Sequence, residues 1–268
     1  MKDKIILAIP CYNCVKQIKR VISSLENNSV YQYFDEILII DNKSSDGTVA
    51  SAVNAVEKTN LSNVRIVENS KNIGLGGTHK VAFRYAINRN ASHLAILHGD
   101  DQGDINDLIK IIDGGTHNKY DCCLGSRFSL KSKLVGYSKF RIFGNIIFNT
   151  IFTLSSKHII KDLGAGLNIY KINAIQDNRI FSFSNDLTFN CYMLLFSVSQ
   201  KHKINFFPIT WREDDQISNV KLYSQAKKTF KIAWDFFING VASLKMVNKN
   251  ISMDELYFID HNKGNKND

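Results

Sequence analysis

The sequence predicts an α/β fold in which helices cover both faces of a mostly parallel central sheet. Short, continuously apolar runs alternate with segments of helical periodicity over the first half of the chain. Continuous apolar strands indicate burial on both faces, as in parallel sheets, whereas a half-exposed strand would alternate. The chain has 268 residues, of which 44% are hydrophobic, so it can bury a large core and is expected to form one principal domain.

Five apolar runs are predicted to be strands of this sheet. They occupy residues 5–9, 37–40, 64–67, 94–97 and 122–124. Apolar residues at helical spacing predict a helix after the first strand and another before the fourth, at Val15, Ile18, Ile22 and Leu25 and at Val81, Tyr85 and Ala86. Ligands of such βαβ sheets bind beyond the carboxyl ends of the strands, so we expect the functional site there.

Composition limits the classes of partner. The formal net charge of +9 predicts attraction to phosphates, anionic lipid or nucleic acid. Nucleic acid is not an expected partner, because the sequence lacks zinc-finger spacing, an aromatic RNA-binding signature and an Arg-rich arm. Five cysteines, an odd number, favour reduced thiols over a disulfide framework. The sequence shows no secretory leader and no apolar run long enough to cross a bilayer, so we expect a cytoplasmic protein.

Polar motifs follow four of the predicted strands. The candidate site residues at these strand ends are Pro10, Tyr12 and Asn13, then Asp41, then Asn72, Gly74 and Gly76, and finally His98, Asp100, Asp101 and Gln102. Each motif also has a structural interpretation, because Pro10 and Asn13 can start a turn, Asp46 can cap a helix, and glycines can adopt unusual backbone angles. Four such motifs at one edge of a sheet are hard to explain by turn chemistry alone, so we expect them to converge on one crevice.

Asp100 and Asp101 form an acidic pair directly after the fourth predicted strand. Carboxylate oxygens at a strand end suit Mg²⁺ or Mn²⁺, which often keep coordination positions for water and substrate phosphates. The alternative is a solvated acidic turn. The three neighbouring motifs favour the metal site.

The four motifs together resemble those of the family 2 inverting glycosyltransferases. The matching segments read Ile-Pro-Cys-Tyr-Asn at 9–13, Ile-Asp-Asn-Lys-Ser-Ser-Asp-Gly-Thr at 40–48, Asn-Ile-Gly-Leu-Gly at 72–76 and Gly-Asp-Asp-Gln at 99–102. The similarity continues through Gly-Ser-Arg at 125–127 and the segment 162–170. It implies the GT-A nucleotide-diphospho-sugar transferase fold for a catalytic domain over residues 1–222. Within the family, the pattern is most similar to the dolichyl- or polyprenyl-phosphate sugar synthases.

This resemblance implies a role for each motif. Asp41 would accept a hydrogen bond from the base of a nucleotide-sugar donor, while the backbone around Pro10, Tyr12 and Asn13 would line the base and ribose. Asp100 would ligate Mg²⁺ or Mn²⁺ between the two donor phosphates. The other donor-binding residues that the resemblance implies are Asn72, Gly74, Gly76, His98, Gln102 and Arg127.

Two positions depart from the family pattern. Relatives usually carry Asp-x-Asp, whereas this chain has His98 before Asp100; His98 is therefore a candidate ligand of the metal or donor, with a polar rim residue as the alternative. Cys14 stands where many relatives carry Glu. Cys11 and Cys14 also have the spacing of a thioredoxin-type redox site, but that function would leave the other three loops unexplained.

Asp186 and Asp101 are the candidate catalytic residues. Asp186 lies at the predicted start of a helix, where relatives carry an acidic residue near the acceptor, so a helix cap and a general base are both open. A polyprenyl phosphate acceptor is already ionised and needs no strong base, whereas a sugar hydroxyl needs one. We expect transfer to a polyprenyl phosphate. Transfer to a glycan hydroxyl in envelope polysaccharide synthesis and a non-catalytic nucleotide-sugar-binding protein are the alternatives.

Two apolar segments suggest contact with a membrane surface. Residues 140–154 are rich in Ile and Phe, and residues 223–260 are predicted to form a basic amphipathic helical segment. One face of this segment carries apolar residues beside lysines, namely Phe230, Trp234, Phe237, Val241 and Leu244 with Lys227, Lys228, Lys231 and Lys245. Such faces are typical of interfacial helices, so we expect a protein peripheral to the inner face of the cytoplasmic membrane. Packing on the protein's own core or in a homo-oligomer is the alternative. Residues 261–268 are expected to be a disordered tail.

Overall fold

The structure is a computed structural model that describes residues 3–213, 222–244 and 258–261. Within these ranges the strands are β1 (Ile5–Cys11), β2 (Glu36–Asp41), β3 (Val64–Asn69), β4 (His93–Leu97), β5 (Cys122–Ser126), β6 (Lys133–Val135), β7 (Leu167–Lys171), β8 (Ile204–Pro208), β9 (Thr210–Arg212) and β10 (Phe258–Asp260). The helices are α1 (Gln17–Glu26), α2 (Thr48–Val56), α3 (Gly74–Asn88), α4 (Ile105–Asp113), α5 (Lys139–Ser156), α6 (Ile172–Ile175), α7 (Phe189–Ser199) and α8 (Leu222–Asn239). Each of the five predicted strands lies inside one of β1 to β5.

The main sheet has the strand order β10-β3-β2-β1-β4-β7-β5-β8. Strands β3, β2, β1 and β4 run parallel, and β5 pairs in parallel with β8. Strand β7 lies between β4 and β5 and is antiparallel to both. Strands β6 and β9 form a separate parallel pair. The prediction of a mostly parallel sheet is therefore confirmed, and the antiparallel β7 joins its two parallel parts.

Helices cover both faces of this sheet, and the central strands supply alternate side chains to two cores. From β1, Ile6 and Ala8 pack into the core formed with α3, α6, α7 and α8. Ile5, Leu7 and Ile9 pack into the opposite core, formed with α1, α2 and α4. All five side chains are buried. A strand that is buried on both faces needs a continuous apolar sequence, which is the pattern that predicted it.

Helices α1 and α3 confirm the predicted periodicity. In α1 the predicted core residues Ile18, Ile22 and Leu25 are buried on one face. In α3, Val81 and Ala86 are buried against the opposite side of the sheet. Apolar residues three or four positions apart lie on one side of a helix, so α1 covers the sheet with a single stripe. Helix α3 is buried all round from Gly76 to Phe83, and a one-sided pattern begins only after Phe83.

The C-terminal part differs from the prediction of a helical segment over residues 223–260. Helix α8 and the following 3-10 turn (Gly240–Leu244) are helical, but β10 is a strand that pairs antiparallel with β3. Arg65 of β3 and Asp260 of β10 form an ion pair at this edge. The helical prediction is wrong at residues 258–260, which form a strand. This strand depends on pairing with β3, which is distant in sequence, and the local sequence gives no sign of that pairing.

Parts of the C-terminal predictions lie outside the described residues. These are residues 245–257, which include Lys245, and all of the predicted tail except His261. Within the described ranges, no helix combines the length and the apolar character needed to span a bilayer.

Candidate active site

A cleft of about 490 Å³ opens at the carboxyl ends of β1 and β4. The strand order reverses at β1, with β2 and β3 on one side and β4 on the other, and ligands of open α/β sheets bind at such a point. The predicted site residues that line the cleft are Pro10, Tyr12, Asn72, Gly74, His98, Asp100 and Asp186. The predicted residues that do not line the cleft are Asn13, Asp41, Gly76, Asp101, Gln102 and Arg127.

The loops after β1 and β2 are tied together by side chains of both motifs. Asn13 accepts a hydrogen bond from the backbone N–H of Ser45 at 3.0 Å, and its own N–H donates to the Ser44 hydroxyl at 2.9 Å. Asp46 accepts from the N–H of Val15 at 3.0 Å and from the N–H of Thr48 at 3.0 Å, at the start of α2. Asn13 and Asp46 therefore fix the shape of the loops that carry Tyr12 to the rim of the cleft.

Asp41 is buried at the end of β2, where its carboxylate accepts two hydrogen bonds from Ser44. One oxygen accepts from the Ser44 hydroxyl at 2.5 Å and the other from the Ser44 N–H at 2.8 Å. Burial raises the pKa of Asp41, and the hydrogen bonds from Ser44 oppose this rise. The implied contact with a donor base therefore requires a group that reaches past Ser44 or replaces its hydroxyl.

A network of amide side chains connects the ends of β2 and β3. Asn42 donates to the Asn72 side-chain oxygen at 2.9 Å and accepts from the N–H of Ile73 at 2.9 Å. The buried Asn69 donates to the Asn42 oxygen at 3.2 Å. Asn72 also accepts from the N–H of Gly74, so it shapes the first turn of α3 while it lines the cleft.

The glycines at the start of α3 permit close contact with the segment that carries Asp186. A Cβ on Gly74, whose φ is +75°, would lie 2.3 Å from the backbone oxygen of Asn185. A Cβ on Gly76 would lie 2.5 Å from Cβ of Phe189 and 2.6 Å from the backbone oxygen of Ser184. Their first role is thus to bring two backbone segments together, since only glycine leaves room there.

Lys80 holds the same segment from the buried side of α3. Its ammonium donates to the backbone oxygen of Phe183 and, at 2.6 Å, to the side-chain oxygen of Asn185. The ammonium also lies 5.7 Å from the ring centroid of Phe189. Burial lowers the pKa of Lys80 to about 8, so the side chain is still mostly protonated at neutral pH. A buried lysine with oxygen partners on one chain segment fixes the position of that segment.

The two carboxylates after β4 have different surroundings. Asp100 lines the cleft, accepts from the N–H of Gln102 at 3.2 Å, and has its pKa raised by burial. Asp101 instead pairs with Arg20 of α1 at 2.5 Å and Arg212 of β9 at 3.2 Å. The backbone oxygen of Gln102 accepts from the N–H of Arg212. Asp100 is thus the carboxylate offered to a ligand, and Asp101 and Gln102 fasten its loop.

His98 is paired with a second histidine that the sequence analysis did not single out. The Nε2 atoms of His98 and His79 lie 3.0 Å apart, and burial lowers the pKa of both rings. One neutral ring donates and the other accepts, with the proton placed by tautomer. On the other side, a Cβ on Gly166 would lie 2.5 Å from Nδ1 of His98, so the residue before β7 also packs closely on this ring. In this arrangement His98 uses Nε2 for His79, so a metal would have to displace that partner.

Arg127 forms a buried ion pair with Asp162. Its Nε and one terminal nitrogen donate to the two carboxylate oxygens at 2.9 and 2.7 Å, and its backbone N–H donates to the same carboxylate. The guanidinium also lies 5.2 Å from the ring centroid of Trp211. Burial alone would lower the pKa of Arg127, but the negative charge of Asp162 has the larger effect, so the pKa of Arg127 is raised. The bidentate pair connects the ends of β5 and β7 and gives Arg127 a positioning role.

Asp186 is a turn-forming carboxylate as well as a cleft residue. One oxygen accepts from the N–H of Thr188 at 2.8 Å, from the Thr188 hydroxyl at 2.5 Å and from the Ser184 hydroxyl at 2.9 Å. The other oxygen accepts from the ammonium of Lys228 at 2.8 Å. Partial burial opposes ionisation, but Lys228 and these hydrogen bonds together lower the pKa of Asp186 to about 2. A carboxylate that is so well stabilised is a weak proton acceptor.

Cys11 and Cys14 lie in the cleft wall, and all five cysteines are buried free thiols. The hydrogen bond between Cys11 and Cys14, followed by burial, raises the pKa of Cys11. A redox or zinc-binding cysteine requires the thiolate, so this environment disfavours both functions. A Cβ on Gly99 would lie 2.4 Å from Sγ of Cys11, which shows that this thiol fills the space beside the acidic loop.

Several cleft residues were not predicted from the sequence. They are Asn42, Leu75, Thr78 and Leu187, together with Ser224 and Gln225 of α8. Asn42 and Thr78 lie next to predicted motif residues, so the motifs themselves could have suggested them. Ser224 and Gln225 reach the cleft only because α8 packs against α5 and α7, which no local pattern reveals.

Comparison with known proteins identifies the family. Residues 6–179 match the family model described as glycosyl transferase family 2. The chain belongs to this family. A curated relative from Methanococcus voltae, named UDP-N-acetylglucosamine–dolichyl-phosphate N-acetylglucosaminyltransferase, is 26% identical over 188 residues, which cover 66% of this chain and 73% of the relative. The predicted family and its enzyme class, glycosyltransferase, are confirmed.

Solved structures confirm the GT-A-like fold of this glycosyltransferase. Glucosyl-3-phosphoglycerate synthase from Mycobacterium tuberculosis, in complex with uridine diphosphate, has a TM-score of 0.61 and 11% identity over 92% of this chain and 82% of that one. S. aureus TarS 1–349, in complex with UDP-GlcNAc, has a TM-score of 0.57 and 16% identity over 94% of this chain and 69% of that one. At these identities the likeness shows the fold alone.

The close contact at Gly76 gives a first prediction for this glycosyltransferase. We expect Gly76→Ala to lower the free energy of unfolding by about 1–3 kcal/mol, because the added methyl group would overlap Phe189 and the backbone of Ser184. Gly144→Ala in α5 is the matched control, since a Cβ there meets nothing within 4 Å and alanine favours a helix by up to about 1 kcal/mol. Urea unfolding of wild type and both variants measures the free energies of unfolding. A Gly76→Ala variant as stable as the wild type would contradict the prediction.

Proposed function

We propose that this glycosyltransferase transfers a sugar from a nucleotide-diphosphate donor to a polyprenyl phosphate at a membrane surface, with inversion at the anomeric carbon and with Mg²⁺ or Mn²⁺ as cofactor. The observation that carries the choice of acceptor is the arrangement of Asp186 in the cleft wall, where its carboxylate is paired with Lys228 at 2.8 Å and accepts hydrogen bonds from Thr188 and Ser184. These contacts lower the pKa of Asp186. The name of the Methanococcus voltae relative, which refers to dolichyl phosphate, supports the same acceptor class.

The donor side of the proposal rests on the loops after β1, β2, β3 and β4. A cleft of about 490 Å³ is within the usual range of small-molecule sites, about 300–1,000 Å³. Tyr12, which is 49% exposed at its rim, offers an aromatic face for a base. Asn42 and Asn72 offer amide groups, and Asp41 lies behind Ser44 at the end of β2. These groups supply the stacking and hydrogen bonds that a nucleotide needs.

The proposed metal would be held by Asp100. Its carboxylate combines a position in the cleft wall with burial that raises its pKa, so a nearby cation would favour the ionised form. Oxygen ligands and few protein contacts are what Mg²⁺ and Mn²⁺ take beside phosphates, so the residues fit the ion. When bound, such an ion neutralises charge on the leaving diphosphate. Asp101, fixed by Arg20 and Arg212, keeps the Asp100 loop in place.

The acceptor side is formed by Asp186 and α8. A sugar hydroxyl must lose a proton during attack, and an efficient base has a pKa near the working pH. Asp186, with a pKa of about 2, is far below that range, whereas a phosphate acceptor is already anionic and makes no such demand. Lys228, which is exposed and 2.8 Å from Asp186, places an ammonium where an anionic acceptor would approach. Both features favour a phosphate nucleophile.

The proposed membrane contact is made by the outer faces of α5 and α8, two helices that pack against each other. Exposed apolar side chains on these faces are Phe140, Phe143 and Leu154 of α5 and Phe230, Trp234, Phe237 and Ile238 of α8. The rings of Phe230 and Trp234 are stacked, with centroids 6.3 Å apart. Leu244, by contrast, is buried and belongs to the core. Exposed aromatic residues beside lysines fit a headgroup interface.

The first functional test concerns the metal. We expect Asp100→Asn to abolish metal-dependent turnover while leaving the fold intact, because the amide cannot supply a charged oxygen ligand. Asp101→Asn is the matched control, since its carboxylate is already engaged by two arginines, and it should keep its dependence on added Mn²⁺. Release of nucleoside diphosphate from donor is measured with and without Mn²⁺. Turnover of Asp100→Asn at the wild-type level would refute the assignment.

The second test separates the two acceptor classes. With a polyprenyl phosphate acceptor we expect Asp186→Asn and Lys228→Met to reduce turnover by similar, small factors of about tenfold or less, because both remove the same ion pair. Loss of a general base would instead reduce the rate about 10²- to 10⁴-fold in Asp186→Asn alone. Single-turnover rates at saturating acceptor distinguish these results, and the large unequal effect would favour a glycan hydroxyl.

The third test concerns the membrane. We expect Trp234→Glu to weaken co-sedimentation with anionic vesicles and to slow transfer to lipid phosphate, while donor hydrolysis in detergent is unchanged. Asn239→Glu is the control, because it adds the same charge to an exposed position at the end of α8. Equal vesicle binding by wild type and Trp234→Glu would rule out this face as the membrane contact.

A further inference from the structure

Two buried histidines and an aspartate meet at the amino ends of the central strands, opposite the cleft. His93 is the first residue of β4, Asp3 lies just before β1, and His117 lies in the 3-10 turn Thr116–Asn118 after α4. One candidate ligand atom of each residue lies within 4.8 Å of those of the other two. The cleft opens at the carboxyl ends of β1 and β4, whereas this cluster lies at their amino ends. The two sites are therefore separated by the full length of the strands.

The geometry of the cluster is compact. Nε2 of His117 is 3.1 Å from a carboxylate oxygen of Asp3, and the two imidazole rings lie with centroids 4.9 Å apart at an angle of 63°. The same oxygen of Asp3 accepts from the side chain of Asn118 at 2.7 Å. Two ligands of one zinc ion, each about 2.0–2.1 Å from it, lie no more than about 4.2 Å apart, so closure around an ion needs only small side-chain rotations.

The hydrogen bonding of the rings is incomplete. His93 is 3% exposed and His117 is 5% exposed, yet Nε2 of His93 and Nδ1 of His117 have no hydrogen-bond partner among the described residues. Nδ1 of His93 lies 3.0 Å from the Ser92 hydroxyl, which fixes the ring from its other side. Nearly all buried polar atoms are paired, so the unpaired Nε2 of His93, on the ring that packs against His117, requires an explanation. Nδ1 of His117 lies across its ring from the Nε2 that contacts Asp3, so it is not a candidate ligand atom.

Asp3 and Lys171 are charged residues close to the cluster. The Asp3 carboxylate supplies one negative charge. The nearby ammonium of Lys171 is turned to the backbone oxygen of Asn118, at 2.8 Å. A metal-binding histidine is oriented by a partner on its far ring nitrogen, and the Ser92 hydroxyl stands in that place beside Nδ1 of His93.

We propose that Asp3, His93 and His117 bind a divalent transition metal of the zinc class, with water at the remaining position. Two imidazoles and one carboxylate suit Zn²⁺ and Co²⁺, whereas Mg²⁺ prefers oxygen ligands alone. The site is therefore chemically distinct from the Asp100 site. Its ligands come from the chain before β1, from β4 and from the turn after α4, so a bound ion fastens the N-terminal segment to the sheet.

The test uses the purified, metal-free full chain with Co²⁺ alone and Zn²⁺ alone. We expect Co²⁺ to give visible absorption bands that Zn²⁺ removes, and Zn²⁺ to raise the melting temperature, because the ion binds only the folded chain. His117→Gln and Asp3→Asn should weaken Zn²⁺ binding at least tenfold. His158→Gln, a histidine outside the cluster, and Asp100→Asn should bind Zn²⁺ as tightly as wild type.

Folding of each variant is checked by circular dichroism without metal, and Asp3→Asn, at a partly exposed position, is informative even if His117→Gln does not fold. Unchanged Zn²⁺ binding in a folded Asp3→Asn or His117→Gln variant would overturn the proposal. So would the absence of a Co²⁺ spectrum in wild type, or loss of Zn²⁺ binding in Asp100→Asn, which would assign the ion to the cleft. None of these measurements depends on glycosyl transfer.

Discussion

Burial of the central strands on both faces is the constraint on which the rest of this protein depends. Side chains of β1 and β4 such as Leu7, Ala8 and Ala95 are fully enclosed, so no polar chemistry can take place along the strands. Functional groups are confined to the strand ends, and the two ends carry different types of polar side chain. Neutral amides, a cleft carboxylate and a histidine pair meet at the carboxyl ends, while two imidazoles and Asp3 meet at the amino ends.

The polar motif residues divide into those that line the cleft and those that hold loops in place. Four of the residues that hold loops form hydrogen bonds or ion pairs with other parts of the chain, namely Asn13, Asp46, Asp101 and Arg127. This division has a physical reason. A site that must hold a flexible, charged ligand needs its few contact groups fixed to within fractions of an ångström, and fixed loops require internal partners. The glycines of α3 and the ammonium of Lys80 do the same for the segment of Asp186.

The sequence predicted the features that depend on local pattern. The apolar runs of β1 to β5 and the apolar stripe of α1 follow from spacing alone, and the strand-end motifs located Asp100 and Tyr12 at the cleft. The features that it did not predict depend on contacts between distant residues. Lys80 meets Asn185 across 105 positions, Asp186 meets Lys228 across 42, and β10 pairs with β3 although their ion-paired residues Arg65 and Asp260 are 195 positions apart. Asp101 was a candidate catalyst because it forms an acidic pair with Asp100 after the fourth predicted strand. Its φ of +58° and its two arginine partners show that its carboxylate turns away from the cleft.

Helix α8 connects the polar cleft with the exposed apolar outer face. Ser224 and Gln225 in its first turn line the cleft, and Trp234 and Phe237 further along face outward. No glycine or proline interrupts the helix between Leu222 and Asn239, so its two ends move together. The distance along the axis from Gln225 to Trp234 is about 14 Å at about 1.5 Å per residue. A partner that displaced α8 at its outer face would displace the wall of the cleft with it. By thermodynamic linkage, a ligand that selected one of two positions of α8 would then change the affinity of the outer face by the same factor.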